Sequence, residues 1–597
     1  MKSQHENHKT DPTEQQVVAV DTETYYDNEC SVSKLGSHAY TKHPHFQTLL
    51  ISAATSDGSV ICEPPETFPW EILQGRKIVA HNAGFDRAVL RATPECPKIP
   101  EDAWIDTSGM CAYNQLPRTL KGACAALFDC KVSKDVRDRM KGRTLEDLSQ
   151  NERADFVQYA KEDAKYALRI YKELLPKTPQ DEMDLMTLAM NQGEYGVKID
   201  RQALELGIDS LVKARGGLIE QLPWFPNMSP GSIKGLKKAC EDRGIPAPPS
   251  TKKDDPKLKA WMENYPSGVD LIEKLQHHRK VDRTLKFLRK MEERLTTEDI
   301  LPFEIKYHGS EITGRFSGTG KLNMLNLPKA PVEGVDIREL IIPRAGHKLA
   351  VIDLSNIEVR TGAMLVGDAA MLKSIQEGVD VYEAHARASM SWEGGDLKEE
   401  APDIRDLAKV RVLALGFQQG SKRLAEGMGL ELKRAEQIVR EFRRTNPKIT
   451  ARWRNLQVGL KHNHTPGTRD YVNTLPSGRE LRYRNVKPER IKGIPQITAS
   501  TTKGEDGRRE AYYGGKLYEN ECQALARDVF CHGLLAVERA GIRVLFTVHD
   551  ELVAEVPSED AEVTLQKIIK LMTTPPLWAE DLPLGAEGHL CLKYTKI

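Results

Sequence analysis

Ile352-Asp353-Leu354-Ser355-Asn356-Ile357-Glu358-Val359-Arg360 and Val548-His549-Asp550-Glu551-Leu552-Val553 are the stretches whose reading decides the fold. Each sets an aspartate at the end of an apolar, β-branched run, the composition of a buried strand. Segment 349–354 reads as one strand, followed by a helix over 357–365. Segment 541–556 reads as two strands around a turn at His549-Asp550-Glu551. Asp353 and Asp550 can then meet across adjacent strands. Carboxylates so placed can hold two divalent ions such as Mg²⁺. Two ions at a short fixed separation are what in-line phosphoryl or nucleotidyl transfer needs.

A second acidic set lies near the N-terminus. Asp21 and Glu23 stand two apart at the tail of the apolar run 16–20, so a strand points both at one place. Further strands are expected at 48–54 and 77–82, and Asp86 follows the latter within the helical pattern 84–92. Tyr159 and Asp163 are four apart in the helical pattern 151–174 and share a face. These residues suit a two-metal hydrolysis site in which Tyr159 orients the attacking water. An isolated Asp-x-Glu is common on surfaces; three such segments in this order are not.

At 597 residues, with 40% hydrophobic and 29% charged, the chain has the composition of a globular protein of several domains. No apolar run is long enough to span a bilayer, and the start lacks the apolar core of a signal peptide. No membrane association is therefore expected. The ten cysteines form no Cys-x-x-Cys pair, which argues against structural zinc and for free thiols in a reducing compartment. Basic and acidic residues balance at 86 each. A zero total can still hide opposed fields. Segment 274–290, KLQHHRKVDRTLKFLRK, carries seven Lys or Arg against one Asp.

Residues 1–16 read as a disordered tail. The α/β pattern of 17–175 ends at Pro176 and Pro179. A charged, mostly helical region follows to about 294, broken by Pro246, Pro248 and Pro249. Strands and helices mix again from 301 onward, with 404–443 strongly helical. In 404–420, Arg405, Lys409, Leu413 and Phe417 recur every four residues and share a helix face. Two cations there can hold a triphosphate, and the apolar pair can pack on sugar and base.

The N-terminal acids resemble the three motifs of the DnaQ-like 3′–5′ exonucleases, an RNase H-like fold. The remainder resembles a family A DNA polymerase of bacteriophage type. Its motifs run from Thr313-Gly314-Arg315 and the Asp353 segment through 405–420 to His549-Asp550-Glu551. The resemblance implies a mixed α/β, multidomain chain: an exonuclease domain at 17–175, then a right-hand polymerase domain at 176–597. The thumb would lie at about 201–300, the fingers at about 361–510 and the palm in the rest. With no 5′-nuclease domain expected ahead of these, the layout resembles that of a phage enzyme.

The resemblance also implies roles. Asp353 and Asp550, with the Leu354 carbonyl, would bind two Mg²⁺. Asp21, Glu23, Asp86 and Asp163 would bind two more, and Mn²⁺ could substitute. Glu358 would be the steric gate against a ribose 2′-OH. Arg405 and Lys409 would bind the β- and γ-phosphates, with Lys409 protonating pyrophosphate. Leu413 stands where Phe or Tyr is usual, and Phe417-Gln418 where Tyr-Gly is usual. Tyr382 or His385, one turn apart, would replace a triphosphate-contacting His. Arg315 and Gln523 would read minor-groove edges near the primer end, where acceptors are alike for all correct pairs. Thr313 and Asn520 would join the DNA contacts, though the spacing at 520–523 is one residue short. His549 would touch the primer terminus.

Helix 404–420 would rotate inward on a matching dNTP, and a frayed mispair would reach the Asp21 site. Segment 274–290 would grip duplex phosphates in a salt-sensitive way. Expected partners are primer-template DNA, dNTPs and phage replication proteins such as a helicase and a single-strand binding protein. The setting would be the cytoplasm of an infected bacterium, and the chain a monomer. Three other readings compete. An RNase D-like exonuclease leaves the C-terminal motifs unexplained. A non-catalytic clamping subunit would have broken carboxylate sets. An RNA-making polymerase is opposed by Glu358.

Overall fold

The computed structural model describes residues 17–463, 465–502 and 509–596. The tail expected at 1–16 lies outside the described residues.

Five strands form the N-terminal sheet: β1 (Val17–Thr24), β2 (Thr48–Thr55), β3 (Val60–Glu63), β4 (Lys77–Ala80) and β5 (Trp104–Asp106). Their order is β3-β2-β1-β4-β5. β1 pairs antiparallel with β2 and parallel with β4. It runs on through Asp21 and Glu23, so both carboxylates sit inside a paired strand. Helix α1 (Ala83–Ala92) follows β4. Helix α2 (Gln150–Leu174) opens on a capping box in which the Ser149 hydroxyl accepts from the Glu152 N–H and the Glu152 carboxylate accepts in return. It lays Phe156, Ala160, Ala164 and Ala167 on the sheet, and Asp163 falls on that same buried face. Small side chains there let the helix come close to the carboxylates of β1.

Helix α3 (Gln180–Tyr195) links this unit to the rest. Near its C-terminal end Asn191 accepts from Arg87 Nη1 at 2.7 Å, and Glu194 pairs with Arg87 Nη2 at 2.8 Å. Arg87 is fully buried and adjoins Asp86. Near its other end Asp181 and Asp184 accept from Arg539 at 2.6 and 2.7 Å. The helix therefore grips both halves of the molecule.

Helix α4 (Val269–Arg294) contains the basic segment. Leu271, Leu275, Val281, Leu285 and Leu288 face inward, while Arg283, Lys286, Arg289 and Lys290 are exposed. The charges thus form an outer face on a helix held by its apolar stripe.

Strand β6 (His347–Leu354) leads into helix α5 (Ile357–Leu365), as the pattern predicts. Further along the chain lie helices α6 (Val381–Ser389) and α7 (Pro402–Leu413). A second sheet holds β7 (Tyr471–Thr474), β8 (Glu480–Ile491), β9 (Ile494–Ser500) and β10 (Arg509–Tyr512) in sequential order. Helix α8 (Gly514–Arg539) then enters the core, followed by β11 (Arg543–Val548), β12 (Glu551–Pro557) and β13 (Ala586–Cys591). β6 joins the last three in an antiparallel sheet of order β11-β12-β6-β13.

Period-2 alternation gives this sheet two apolar faces. Ala350 and Ile352 pack with Ala526, Val529 and Phe530 of α8. Leu349 and Val351 pack with Val553, Leu545 and the Leu285–Leu288 end of α4. Full burial of each such aliphatic side chain contributes roughly 1.5–3 kcal/mol. Asp353 continues the Leu349–Val351 face past the edge of the core.

The helix expected over 404–420 is shorter. It stops at Leu413; Leu415–Phe417 form a single tight turn, and Gln418 takes the left-handed conformation at φ 66°. The cause is distant in sequence. Trp453 Nε1 donates to the Gly416 carbonyl at 3.0 Å, and the Gln418 side chain accepts from Gly515 N at 2.8 Å. A Cβ on Gly515 would lie 2.6 Å from the Phe417 carbonyl oxygen. The start of α8 therefore presses this segment out of helical register, and Phe417 does not extend the face of Arg405 and Lys409. The helicity expected through 443 resumes as separate helices, Ser421–Met428 and Leu432–Thr445. All ten cysteines are unpaired, and no described helix is long and apolar enough to cross a membrane.

Candidate active sites

In the N-terminal unit, β1 and α2 bring Asp21, Glu23 and Asp163 together, with one oxygen of each within 4.8 Å of the others. Asp86 stands beside them but is engaged: the Thr22 N–H and hydroxyl both donate to its Oδ1, at 3.0 and 2.7 Å. Burial, followed by repulsion from Asp163, raises the Glu23 carboxyl to about 8. Burial and its neighbours Glu23, Asp163 and Asp86 push Asp21 well up. Burial also raises Asp86 to about 7, against the pull of Thr22. Burial likewise raises Asp163 to about 6, with Tyr159 opposing. Its Oδ1 is buried without a partner. Crowded carboxylates with an orphan oxygen fit a divalent cation, whose charge removes the repulsion. Burial and the charges of Glu23 and Asp163 raise the Tyr159 phenol, so it stays protonated and available as a donor. No motif marks Lys134 and Arg137, whose charges reach Asp163 and, for Arg137, Glu23 from the neighbouring short helix.

The second site gathers at the ends of β6, β11 and β12. Asp353 pairs in register with Glu551, and Leu354 N donates to the Asp550 carbonyl at 3.0 Å. The hairpin turn is His549-Asp550, tight enough to hold His549 at φ 57°. Asp353 is raised by burial. Burial raises Asp550 to about 6, with Arg315 lowering it and Glu358 and Asp353 raising it. Arg315 makes an ion pair with Glu358. Burial and the Arg315 charge keep His549 below its ordinary value and therefore neutral near pH 7. Glu551 is fully buried and accepts from the Tyr594 hydroxyl, with its second oxygen unpartnered. Tyr594 and Lys596 escaped the sequence reading; the Lys596 charge is felt at Asp353, Asp550 and Glu551. A cavity of about 210 Å³ opens here, lined among others by Arg315, Asn323, Arg527, His549 and Asp550.

On α7, Arg405 lies 3.6 Å from Asp380, and Arg405 and Lys409 stand 5.3 and 5.9 Å from the centre of the Tyr382 ring. The Tyr382 hydroxyl donates to Asn356 at 2.8 Å, tying this group to the turn after Asp353. Leu413 is 46% exposed, and Phe417 stacks at a tilt on Tyr518.

Three expected site residues lie elsewhere. His385 is buried between Ser389, 3.0 Å from its Nε2, and the fully buried Arg411, and desolvation lowers it to about 3. Tyr382, one turn earlier, is the residue of that pair beside the cations. Asn520 is buried and donates to the Tyr483 hydroxyl at 3.0 Å, which commits it to the β8 packing. Thr313 is 3% exposed and donates to Ser310 at 2.8 Å. Gln523, in contrast, is half-buried, with a long 3.4 Å bond to Glu519.

Gly314 sets the height of Arg315. Its φ is 75°, and an added Cβ would lie 2.8 Å from His308 Nε2 and 2.9 Å from Arg479 Nη1. Gly314→Ala is expected to lower activity at the Asp353–Asp550 site about tenfold or more, through a backbone strain of ~1 kcal/mol and a displaced Arg315. Activity at the Asp21 site should stay as it is. Parallel assays of the two sites check this; equal rates at the first site would show that the loop does not need Gly314.

The model of DNA polymerase family A matches residues 229–595, and that of a 3′–5′ exonuclease family matches residues 1–179. The chain is 28% identical to the DNA polymerase of Bacillus phage SP02, over 97% of this chain and 99% of the relative. It is 24% identical to the thermostable DNA polymerase I of Thermus thermophilus, over 76% of this chain and 52% of the relative. The chain thus spans about half the length of that bacterial enzyme. The polymerase domain of Pol1 from M. smegmatis, solved with primer-template DNA and dNTP, shares the fold at a TM-score of 0.67 and 16% identity, over 96% of this chain and 95% of that one.

Proposed function

Since the chain belongs to DNA polymerase family A and carries a 3′–5′ exonuclease domain, we propose that it extends a DNA primer by template-directed nucleotidyl transfer and edits its own product. The observation that carries this reading is the meeting of Asp353 and Asp550 at adjoining strand ends, beside the Arg315–Glu358 pair. The sheet of β6 and β11–β13 would serve as palm, 361–510 as fingers and 201–300 as thumb.

Asp353, Asp550 and the Leu354 carbonyl would hold Mg²⁺, two ions per site with Mn²⁺ able to substitute, and Asp21, Glu23, Asp86 and Asp163 would do so in the exonuclease. When bound, such ions activate the attacking oxygen and neutralise charge on the phosphates. Arg405 and Lys409 bind the β- and γ-phosphates, and the Lys409 ammonium can give its proton to pyrophosphate. Tyr382 braces both cations from below. Glu358 fills the space a 2′-OH would need, and Arg315 holds it there while facing the primer end with Gln523. His549, neutral, contacts the terminal nucleotide. In the exonuclease site the Tyr159 hydroxyl orients water. The exposed cations of α4 track duplex phosphates, so binding weakens with salt. Phage genome replication, alongside a helicase and a single-strand binding protein, is the setting we propose.

Primer extension on a recessed, 5′-labelled duplex with Mg²⁺, with and without dNTPs and at two salt concentrations, tests this. Extension with dNTPs and 3′ shortening without them support both activities. Shortening alone would leave an exonuclease and overturn the synthetic half. Glu358→Ala is expected to lower the preference for dNTP over rNTP at least about tenfold, the size of one lost steric or polar contact. Single-nucleotide kinetics with each sugar measure that ratio, and an unchanged ratio would remove Glu358 from the gate.

A further inference from the structure

Beneath the 312–315 loop lies a buried ionic network that the nucleotidyl transfer itself does not use. Arg527, 4% exposed, donates through Nε to the Gly314 carbonyl at 3.1 Å. Its other nitrogens grip Glu182 of α3 in a two-pronged pair, with Nη2 to Oε2 at 2.8 Å. Arg479, 5% exposed, donates through Nη2 to the Thr313 carbonyl at 3.1 Å and to the Ala524 carbonyl at 2.8 Å. Asp528 holds Arg479 at 3.0 Å and also accepts from Ser477 at 2.6 Å. The Tyr307 hydroxyl donates to Glu182. Although burial works against the charge on Glu182, Arg527, Tyr307 and Arg479 together hold its carboxyl below the ordinary value.

Two features separate this network from general scaffolding. Its arginines spend donors on consecutive carbonyls of one loop, and the next residue in that loop is Arg315, which reaches Glu358. Arg527 also sits four residues after Gln523 on α8, hence on the same face. The fold thus fastens the loop that carries Arg315 to one buried guanidinium, on the helix face that also carries Gln523. A buried ion pair is weak evidence for stability, because desolvation cancels most of its attraction. What a two-pronged pair does supply is fixed geometry.

We infer that Glu182 is a positioning residue for synthesis: through Arg527 it sets the Gly314 carbonyl and so aims Arg315 at the primer terminus. This rests on the polymerase reading. A carboxylate on the helix that leaves the exonuclease unit therefore tunes how strictly the other site judges the end of the primer.

The test is a double-mutant cycle in the full chain, read as single-turnover extension of matched and mispaired primers. Glu182→Gln keeps the shape and weakens the grip. Matched extension is expected to slow about tenfold at saturating dNTP, and the matched-to-mispaired ratio to fall. In an Arg315→Ala background the same change is expected to alter extension by less than about twofold, because its route is already cut. Arg527→Lys, which keeps the charge but loses the paired contacts, should behave likewise. Shortening of single-stranded DNA should stay at the unsubstituted rate in each variant, reporting an intact fold. Equal losses with and without Arg315, or unaltered extension in both Glu182→Gln and Arg527→Lys, would overturn the inference. Failure of the unsubstituted chain to extend any primer would instead overturn the polymerase reading.

Discussion

Asp353→Ala or Asp550→Ala is expected to lower primer extension by about three orders of magnitude or more while 3′ shortening continues. The two carboxylates sit at adjoining strand ends, and Asp550 is held up at about 6 by burial, with Asp353 and Glu358 adding to the rise. Polarisation and charge neutralisation by bound ions are worth several kcal/mol at the transition state, and ~1.4 kcal/mol is tenfold in rate. Neither side chain lies in the core, since the Leu349–Val351 face ends before Asp353, so the sheet should persist. The measurement is single-turnover extension beside exonuclease digestion of a single strand. Extension at the unsubstituted rate in either variant would remove the site.

The mirror experiment is Asp21→Ala. Digestion of single-stranded DNA should fall by a comparable factor of about a thousand, with extension of a matched primer unaltered and mispaired ends persisting. Stability adds a second readout. A carboxyl whose folded-state pKa is raised costs stability as pH climbs from its unfolded value of ~4 toward the folded one. Asp21 is raised well up by burial and by Glu23, Asp163 and Asp86. At pH 8 and with chelator present, the variant should therefore melt at or above the temperature of the unsubstituted protein. With Mg²⁺ the order should reverse, because only the intact site gains from binding. A variant that melts lower under both conditions would contradict the repulsion argument.

Local chemistry made much of this architecture legible. The β-branched runs before Asp353 and on both sides of the His549-Asp550 turn form the strands that their period requires, and the helix over 357–365 falls where expected. The exonuclease carboxylates converge because period-2 and four-residue spacings are local rules. What escaped was set from far away. Leu413 ends its helix because Trp453 and Gly515 act on the next turn. Tyr382 and His385 share a helix and are both buried; Arg411 on a neighbouring helix engages His385, while Tyr382 stands beside the two cations. Asn520 is taken by a tyrosine on β8. Asp86 is occupied by Thr22, a residue that sits between the two carboxylates read from the sequence. Tyr594 and Lys596 carry no motif, and only folding brings them under Glu551 and Asp353.

Helix α3 has one more consequence. Between Glu182 and Asn191 it advances about 14 Å as a single rod, bound at one end to the synthetic half and at the other to the helix of Asp86. A gap spanned by such a rod has a constant width, so the protein leaves the travelling to the nucleic acid. On the proposed editing reading, the length of strand that must unpair to cross is then set by the fold. On that reading, editing is expected to follow end stability: an A·T-rich terminus should cross more often than a G·C-rich one, even when every base is correct.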